Sequence, residues 1–264
     1  MFMKKLTFFL VLFTLTLTGT LFSQNLNDGY KKIDYISVSQ SEVSSFMNLA
    51  VNDLTNAYQQ LIAESDLIDW RLYYVEYPGG EKSGYNFVSI ASAPDLATFE
   101  DIFSDISANR YVPPEAQISS LSNKIVKTEL WKVEDAIGDS SRNQNNPSKY
   151  MTMDYMEVSQ GKYPDYLMLE DEVAKPIHSE RINEDIMAGW EVYSLITPGG
   201  VEYGYNFATG NYYDELSNIE YGFTDEIINQ AMGENANIPE LFNTIYETRD
   251  LVKIELWKLA AHTE

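Results

Sequence analysis

His178 and His262 are the only imidazoles in a chain of 264 residues that has no cysteine. Thiol catalysis, Fe–S clusters and a disulfide framework are therefore excluded. His178 lies in the helical stretch Lys175-Pro176-Ile177-His178-Ser179-Glu180-Arg181, and His262 reads as a frayed residue near the last position. A transition-metal site with one useful histidine would need several carboxylates around it. The chain has 40 Asp and Glu to supply them, but no spacing singles out a cluster. No cofactor or metal is expected. The nucleophile elbow, P-loop, dinucleotide fingerprint, HExxH and EF-hand patterns do not occur.

Polar and aromatic residues that occur twice are more informative. Asn86 and Asn206 each sit in Gly-Tyr-Asn-Phe, and Glu129 and Glu255 each sit in Glu-Leu-Trp. Strand alternation puts Lys127, Glu129 and Trp131 on one face, and Lys253, Glu255 and Trp257 likewise. Trp70, Tyr73, Glu129, Trp131, Trp190, Tyr193, Glu255 and Trp257 make a candidate ligand-binding set. Aromatic faces would stack on a small apolar or aromatic ligand, and Glu would fix it. His178, Asn86 and Asn206 are the candidate catalytic residues. The competing account is structural: Glu–Lys and Asn–backbone bonds would fasten an interface in which Trp and Tyr pack. Duplication favours that account, because a single active site needs only one copy.

The duplication runs along the whole chain. Asp34-Tyr35-Ile36-Ser37-Val38-Ser39-Gln40 returns 120 residues later as Asp154-Tyr155-Met156-Glu157-Val158-Ser159-Gln160. Seven of the ten positions from Pro78 to Phe87 are identical to those from Pro198 to Phe207. Val126 to Lys132 matches Val252 to Lys258 at an offset of 126, so the second copy carries six extra residues. Each copy reads as a strand (33–39, 152–158), a helix (41–64, 161–185), a hairpin and a second helical region (94–107, 212–232). A last strand follows (124–133, 250–259). Pro-Gly-Gly turns the hairpin, Pro presetting φ and Gly supplying positive φ. The order β-α-β-β-α-β is the ferredoxin-like arrangement, an antiparallel sheet with two helices on one face. Both hairpin faces are apolar: Trp70, Leu72 and Tyr74 on one, Tyr73, Val75 and Tyr77 on the other. A sheet facing water on one side alternates apolar with polar, so the second face needs cover. The other copy's sheet is its expected cover. The chain thus reads as α+β: two tandem ferredoxin-like domains, 30–133 and 150–260, whose antiparallel sheets face each other. A polar linker, 134–149, joins them.

Lys4 and Lys5, an apolar run from Leu6 to Phe22 and small Ser23 describe a secretory signal peptide over 1–23. The mature protein is expected to be exported, periplasmic or secreted, with no membrane insertion after cleavage. Removing two lysines takes the net charge from −22 to −24, which repels nucleic-acid phosphates.

The β-α-β-β-α-β unit, the Trp opening its second strand and the paired sheets resemble the dimeric α/β-barrel superfamily. It includes antibiotic-biosynthesis-type monooxygenases, EthD-like and NIPSNAP-like domains. The dimer would here be fused into one chain, a pseudo-dimeric α/β barrel. Some members place a His on haem or on a substrate, and cofactor-free monooxygenases hold phenolic substrates with Asn, Trp and Tyr. The residues imply an exported protein that binds a small apolar or aromatic ligand, or an envelope interaction module. The resemblance implies the rival: a cofactor-independent monooxygenase or isomerase with a cavity between sheet and helices. A closed pocket in which Asn, His or Glu converge marks the enzyme. The same groups paired with each other mark the structural or binding protein.

Overall fold

The computed structural model describes residues 29–78, 84–103, 124–138, 146–234 and 236–263. The signal segment and the first copy's Gly-Gly turn lie outside them. The first half contains β1 (Gly29–Ile36), α1 (Val43–Leu49), a π-helical turn (Ala50–Leu54), α2 (Thr55–Glu64), β2 (Asp69–Glu76), β3 (Phe87–Ala93), α3 (Leu96–Phe103) and β4 (Ile125–Gly138). The second repeats it with β5 (Tyr150–Val158), α4 (Tyr163–Leu169), a π-helical turn (Glu170–Ala174), α5 (Lys175–Asn183), β6 (Gly189–Thr197) and β7 (Phe207–Tyr213). It ends with α6 (Asp225–Met232), α7 (Ile238–Thr248) and β8 (Arg249–His262).

All eight strands pair antiparallel into one closed barrel, in the order β1-β3-β2-β8-β5-β7-β6-β4. The halves follow the same internal order, β4-β1-β3-β2 and β8-β5-β7-β6. The expected α/β barrel is present, and its two sheets are joined along their edges as well as facing each other across the interior. Their edges join, β2 to β8 and β4 to β6, so backbone hydrogen bonds unite the halves and no strand edge stays open. β4 continues through 134–138, the first residues of the segment read as linker, because β6 offers partners as far as Gly138↔Gly189. For the same reason His262 is not frayed: it closes β8 opposite Arg71. Among the described residues no helix is long and apolar enough to cross a membrane.

The two apolar hairpin faces have separate destinations. Tyr73 and Val75 point into the barrel with Trp131, Trp257, Tyr35 and Tyr155. Trp70 and Leu72 point outward, under the helices, with Phe46, Ala50, Leu54 and Leu61. Trp190 and Val192 do the same in the second half, with Tyr166. Tyr77 is exposed. In the second Pro-Gly-Gly turn Gly200 has φ 118°, a value that glycine adopts without a Cβ penalty.

A candidate cavity in the second half

The duplicated polar residues all have partners close by. Asn86 accepts from the Val38 amide at 2.9 Å and donates to the Val38 carbonyl at 3.0 Å. Asn206 does the same with Val158 at 2.9 and 2.8 Å. Each fastens the chain leaving the first strand of its own half, just ahead of β3 or β7 rather than within it. Inside the barrel, Glu129 accepts from the Trp131 indole at 3.0 Å, from Tyr35 at 2.6 Å and from Tyr205 at 2.5 Å, and pairs with Lys127 at 2.8 Å. Glu255 takes Trp257 at 3.0 Å, Tyr85 at 2.5 Å and Lys253 at 2.9 Å. Tyr205 and Tyr85 each reach across to the other half's glutamate. Burial raises the Glu129 pKa, but Lys127, Tyr203 and Tyr205 outweigh it and hold the carboxyl below its usual value. Tyr73 and Tyr193 are buried in the same interior, where Tyr193 and Tyr212 donate to Glu191.

A different arrangement lies between the outer face of β5, β6, β7 and β8 and the helices over it. It is a cavity of about 330 Å³, within the range of small-molecule pockets. Leu169, Val173, Ala174, Phe223 and Ile245 line it with Asp154, Glu170, His178, Arg181, Trp190, Asn211, Tyr213 and Arg249. Comparison of the halves shows how it arises. Ala50, Tyr58, Leu61, Ala91 and Ala93 of the first half stand where Glu170, His178, Arg181, Asn211 and Tyr213 stand in the second. Leu54 is replaced by the smaller Ala174. In the first half Tyr58 stacks on Trp70 at 4.7 Å and 6°. His178 stacks less closely on Trp190, at 5.4 Å and 24°. Asp34 is satisfied by Lys32 and by Thr128 at 2.6 Å. Its counterpart Asp154 has Thr152 and Ile254 at those places, and its buried Oδ1 makes no hydrogen bond.

Removal from water dominates the electrostatics. Burial pushes Asp154 up to about 6, against the pull of Thr152, Arg249 and Arg181. It pushes Glu170 up to about 7, against Tyr166 and Arg249. Burial, with the Arg181 cation, holds His178 well below the ordinary imidazole value, so the ring is neutral at pH 7. Arg181 is only a donor, so at 3.2 Å from its guanidinium the His178 Nδ1 accepts and the ring proton sits on Nε2. A metal-bound imidazole needs a bare ligand nitrogen and gives its other N–H to an acceptor. His178 offers the reverse, beside a cation, and does not fit a haem or metal ligand. Among the described residues no three His, Asp or Glu side chains group around a metal position.

Of the sequence candidates, the cavity brings together His178 and Trp190. Asn86, Asn206, Trp70, Tyr73, Glu129, Trp131, Tyr193, Glu255 and Trp257 lie elsewhere. Asp154, Glu170, Arg181, Asn211, Tyr213 and Arg249 escaped the search for matching residues because they are, Asp154 apart, where the copies differ. The signal for Glu170, Arg181, Asn211 and Tyr213 is an apolar core position in one copy replaced by a polar or ionisable side chain in the other.

No protein-family model matches the chain, and no curated protein matches it in sequence. Solved structures do match in fold. A protein of Lactobacillus acidophilus described as a "putative monooxygenase" superposes with a TM-score of 0.57 at 10% identity, over 89% of this chain and 96% of that one. One of Fusobacterium nucleatum, described in the same words, gives 0.51 at 8%, over 90% and 94%. An anthrone oxidase-like protein gives 0.51 at 8%, over 89% and 92%. With its closed eight-stranded barrel and these neighbours, the chain has the fold of the dimeric α/β-barrel superfamily, both halves of the barrel lying in one polypeptide.

Proposed function

We propose that the protein binds a small, partly apolar organic molecule in the cavity of its second half. The observation that carries this reading is the asymmetry between the copies: Ala50, Tyr58, Leu61, Ala91 and Ala93 of one sheet–helix layer give way in the other to Glu170, His178, Arg181, Asn211 and Tyr213, which line a cavity. Burying such groups without full partners costs stability, and ionisable groups perturbed by burial in a cleft mark a candidate site. The test is a reversion to first-half residues. Ala174→Leu with His178→Tyr restores the Leu54 and Tyr58 side chains, which the equivalent backbone already accommodates. Titration with indole as a neutral apolar probe is expected to show saturable binding to the natural chain and none to the reverted one. Equal binding by both would sink the proposal.

Catalysis at the same place is the second reading, favoured by the position of Glu170. A carboxyl raised to about 7, on a π-helical turn beside a cavity, is equipped to pass a proton near neutral pH. Two of the neighbours are described as "putative monooxygenase" and one as anthrone oxidase-like, in keeping with oxygenase chemistry. Loss of turnover in Glu170→Gln, with the ligand still bound, would separate catalysis from binding alone.

Two further elements belong to the same proposal. The repeated strand order supports a tandem duplication of a ferredoxin-like unit, and the composition of residues 1–23 supports export to the periplasm or beyond. Intact mass of protein secreted by a bacterial host is expected to begin near Gln24. A mass that includes residues 1–23 would remove export by cleavage.

A further inference from the structure

We infer that the ligand of this cavity is an organic anion, a small carboxylate carried on an apolar body, held by Arg181, Arg249 and the indole of Trp190. The inference rests on the cavity reading above and adds the ligand's chemical class.

Three buried N–H groups on cavity-lining residues lack a partner: Arg181 Nε, Arg249 Nε and Trp190 Nε1. They come from α5, β8 and β6. The first half shows that the indole need not be left so. There Trp70 Nε1 donates to Ser89 at 2.8 Å, whereas Thr209, at the matching position, takes nothing from Trp190. Arg181 is fixed by its outer nitrogens, which reach the Tyr221 carbonyl at 2.7 Å and the Tyr213 hydroxyl at 3.1 Å. It is 4% exposed.

The ion pairs point the same way. The chain has 40 acidic residues against 18 basic ones, so a basic side chain meets a carboxylate readily. Lys31, Lys127, Lys175 and Lys253 all do. Arg181 and Arg249 form no ion pair with a described residue. The outer nitrogens of Arg181 are taken by His178, Tyr213 and Tyr221, so each guanidinium offers the cavity its free Nε–H, a cationic donor that makes a charge-assisted hydrogen bond to a carboxylate oxygen.

The titratable and charged groups facing such a ligand are Asp154 from β5, Glu170 from the π-helical turn, His178 and Arg181 from α5, Tyr213 from β7 and Arg249 from β8. His178 is neutral and Tyr213 is raised, chiefly by burial. Asp154 and Glu170 oppose an anion only while ionised, so binding strengthens as pH falls from 8 to 6 and both take up protons.

The experiment compares benzoate, benzamide and benzylamine by calorimetric titration of the full mature chain, with indole as the neutral reference. Benzoate is expected to bind at least tenfold more tightly than benzamide, with benzylamine weakest, and more tightly at pH 6 than at pH 8. Arg249→Met is expected to weaken benzoate at least tenfold, to the benzamide level, and Arg249→Lys, which keeps the cation, to recover part of the loss. Equal binding of acid and amide would overturn the inference and leave the cavity reading intact. So would benzoate binding that survives Ala174→Leu/His178→Tyr, since the acid would then sit elsewhere. Failure of all three with indole still binding overturns the anion alone. Failure of indole as well overturns both.

Discussion

Glu170 carries an electrostatic consequence that falls within the accessible pH range. It is 6% exposed and occupies the place of Ala50, which stands at the start of the first half's π-helical turn. Its folded pKa, about 7, is raised above the ordinary 4.5, so the native state binds that proton more tightly than the unfolded chain does. Below about pH 4.5 both states are protonated and the residue costs nothing. As pH rises the unfolded chain ionises first, and the native state loses stability until both have ionised, above pH 7. A shift of that size corresponds to roughly 3 kcal/mol at 1.36 kcal/mol per unit. Glu170→Gln is therefore expected to leave stability nearly unchanged at pH 4. At pH 8 it should stabilise the protein by roughly 2–3 kcal/mol, measured by denaturant unfolding at each pH. A difference that does not vary with pH would show that burial does not shift Glu170.

At the level of elements, the barrel interior and the helix layer do different work. Tyr205 on the β6–β7 connection reaches Glu129 on β4, and Tyr85 before β3 reaches Glu255 on β8. These bonds run between halves and are charge-assisted, a kind worth about 1.5–3 kcal/mol each. A double-mutant cycle of Tyr205→Phe and Glu129→Gln is expected to show coupling of that order in thermal unfolding. Additive effects would mean that the contact is replaced at no cost. Trp131 and Trp257 are fully buried beside it. Truncating either to Ala is expected to cost about 3–5 kcal/mol, roughly ten degrees of melting temperature in a chain of this size. These elements were legible in the sequence, because the repeat preserves the Trp, Glu and Lys of the last strand and the Asn before the third. Closure was not. Alternation tells that both faces of Trp70 to Tyr77 are covered, yet face periodicity carries no information about which strand meets an edge. The cavity was hidden for another reason. His178 was visible as a lone histidine, but Glu170 and Arg181 look like ordinary solvated helix charges until they are aligned with buried Ala50 and Leu61.

On the scale of the whole molecule, one question is why two similar halves pair with each other rather than each with its own kind. The mouth around Tyr85, Tyr205 and the paired Lys–Glu–Trp sets is nearly two-fold and would serve any pairing. The opposite mouth is not. There Lys31 of β1 pairs with Glu191 of β6 at 3.0 Å, and Tyr212 also donates to that carboxylate, at 2.5 Å. The repeat puts Arg71 at the place of Glu191 and Met151 at the place of Lys31. A barrel made of two first halves would bring each Lys31 to an Arg71, with Asp69, already paired with Arg71 at 2.6 Å, as one carboxylate for two buried cations. A barrel made of two second halves would leave each Glu191 buried with Met151 in place of a cation. Leaving a buried charge without its partner costs about 3–5 kcal/mol, so the mixed pairing wins. Each half alone would also expose two unpaired strand edges and one side of the apolar interior. Cutting the chain between Gly138 and Tyr150 and producing the pieces separately is therefore expected to give two poorly folded polypeptides. Mixed, they should assemble one-to-one into a species with the circular dichroism of the intact chain, detected by native mass spectrometry. In the same mixture Lys31→Glu should abolish the assembly, and Lys31→Glu with Glu191→Lys should restore it. Abundant homodimers of the first half, or assembly indifferent to the charge at Lys31, would show that the asymmetric mouth does not select the partner.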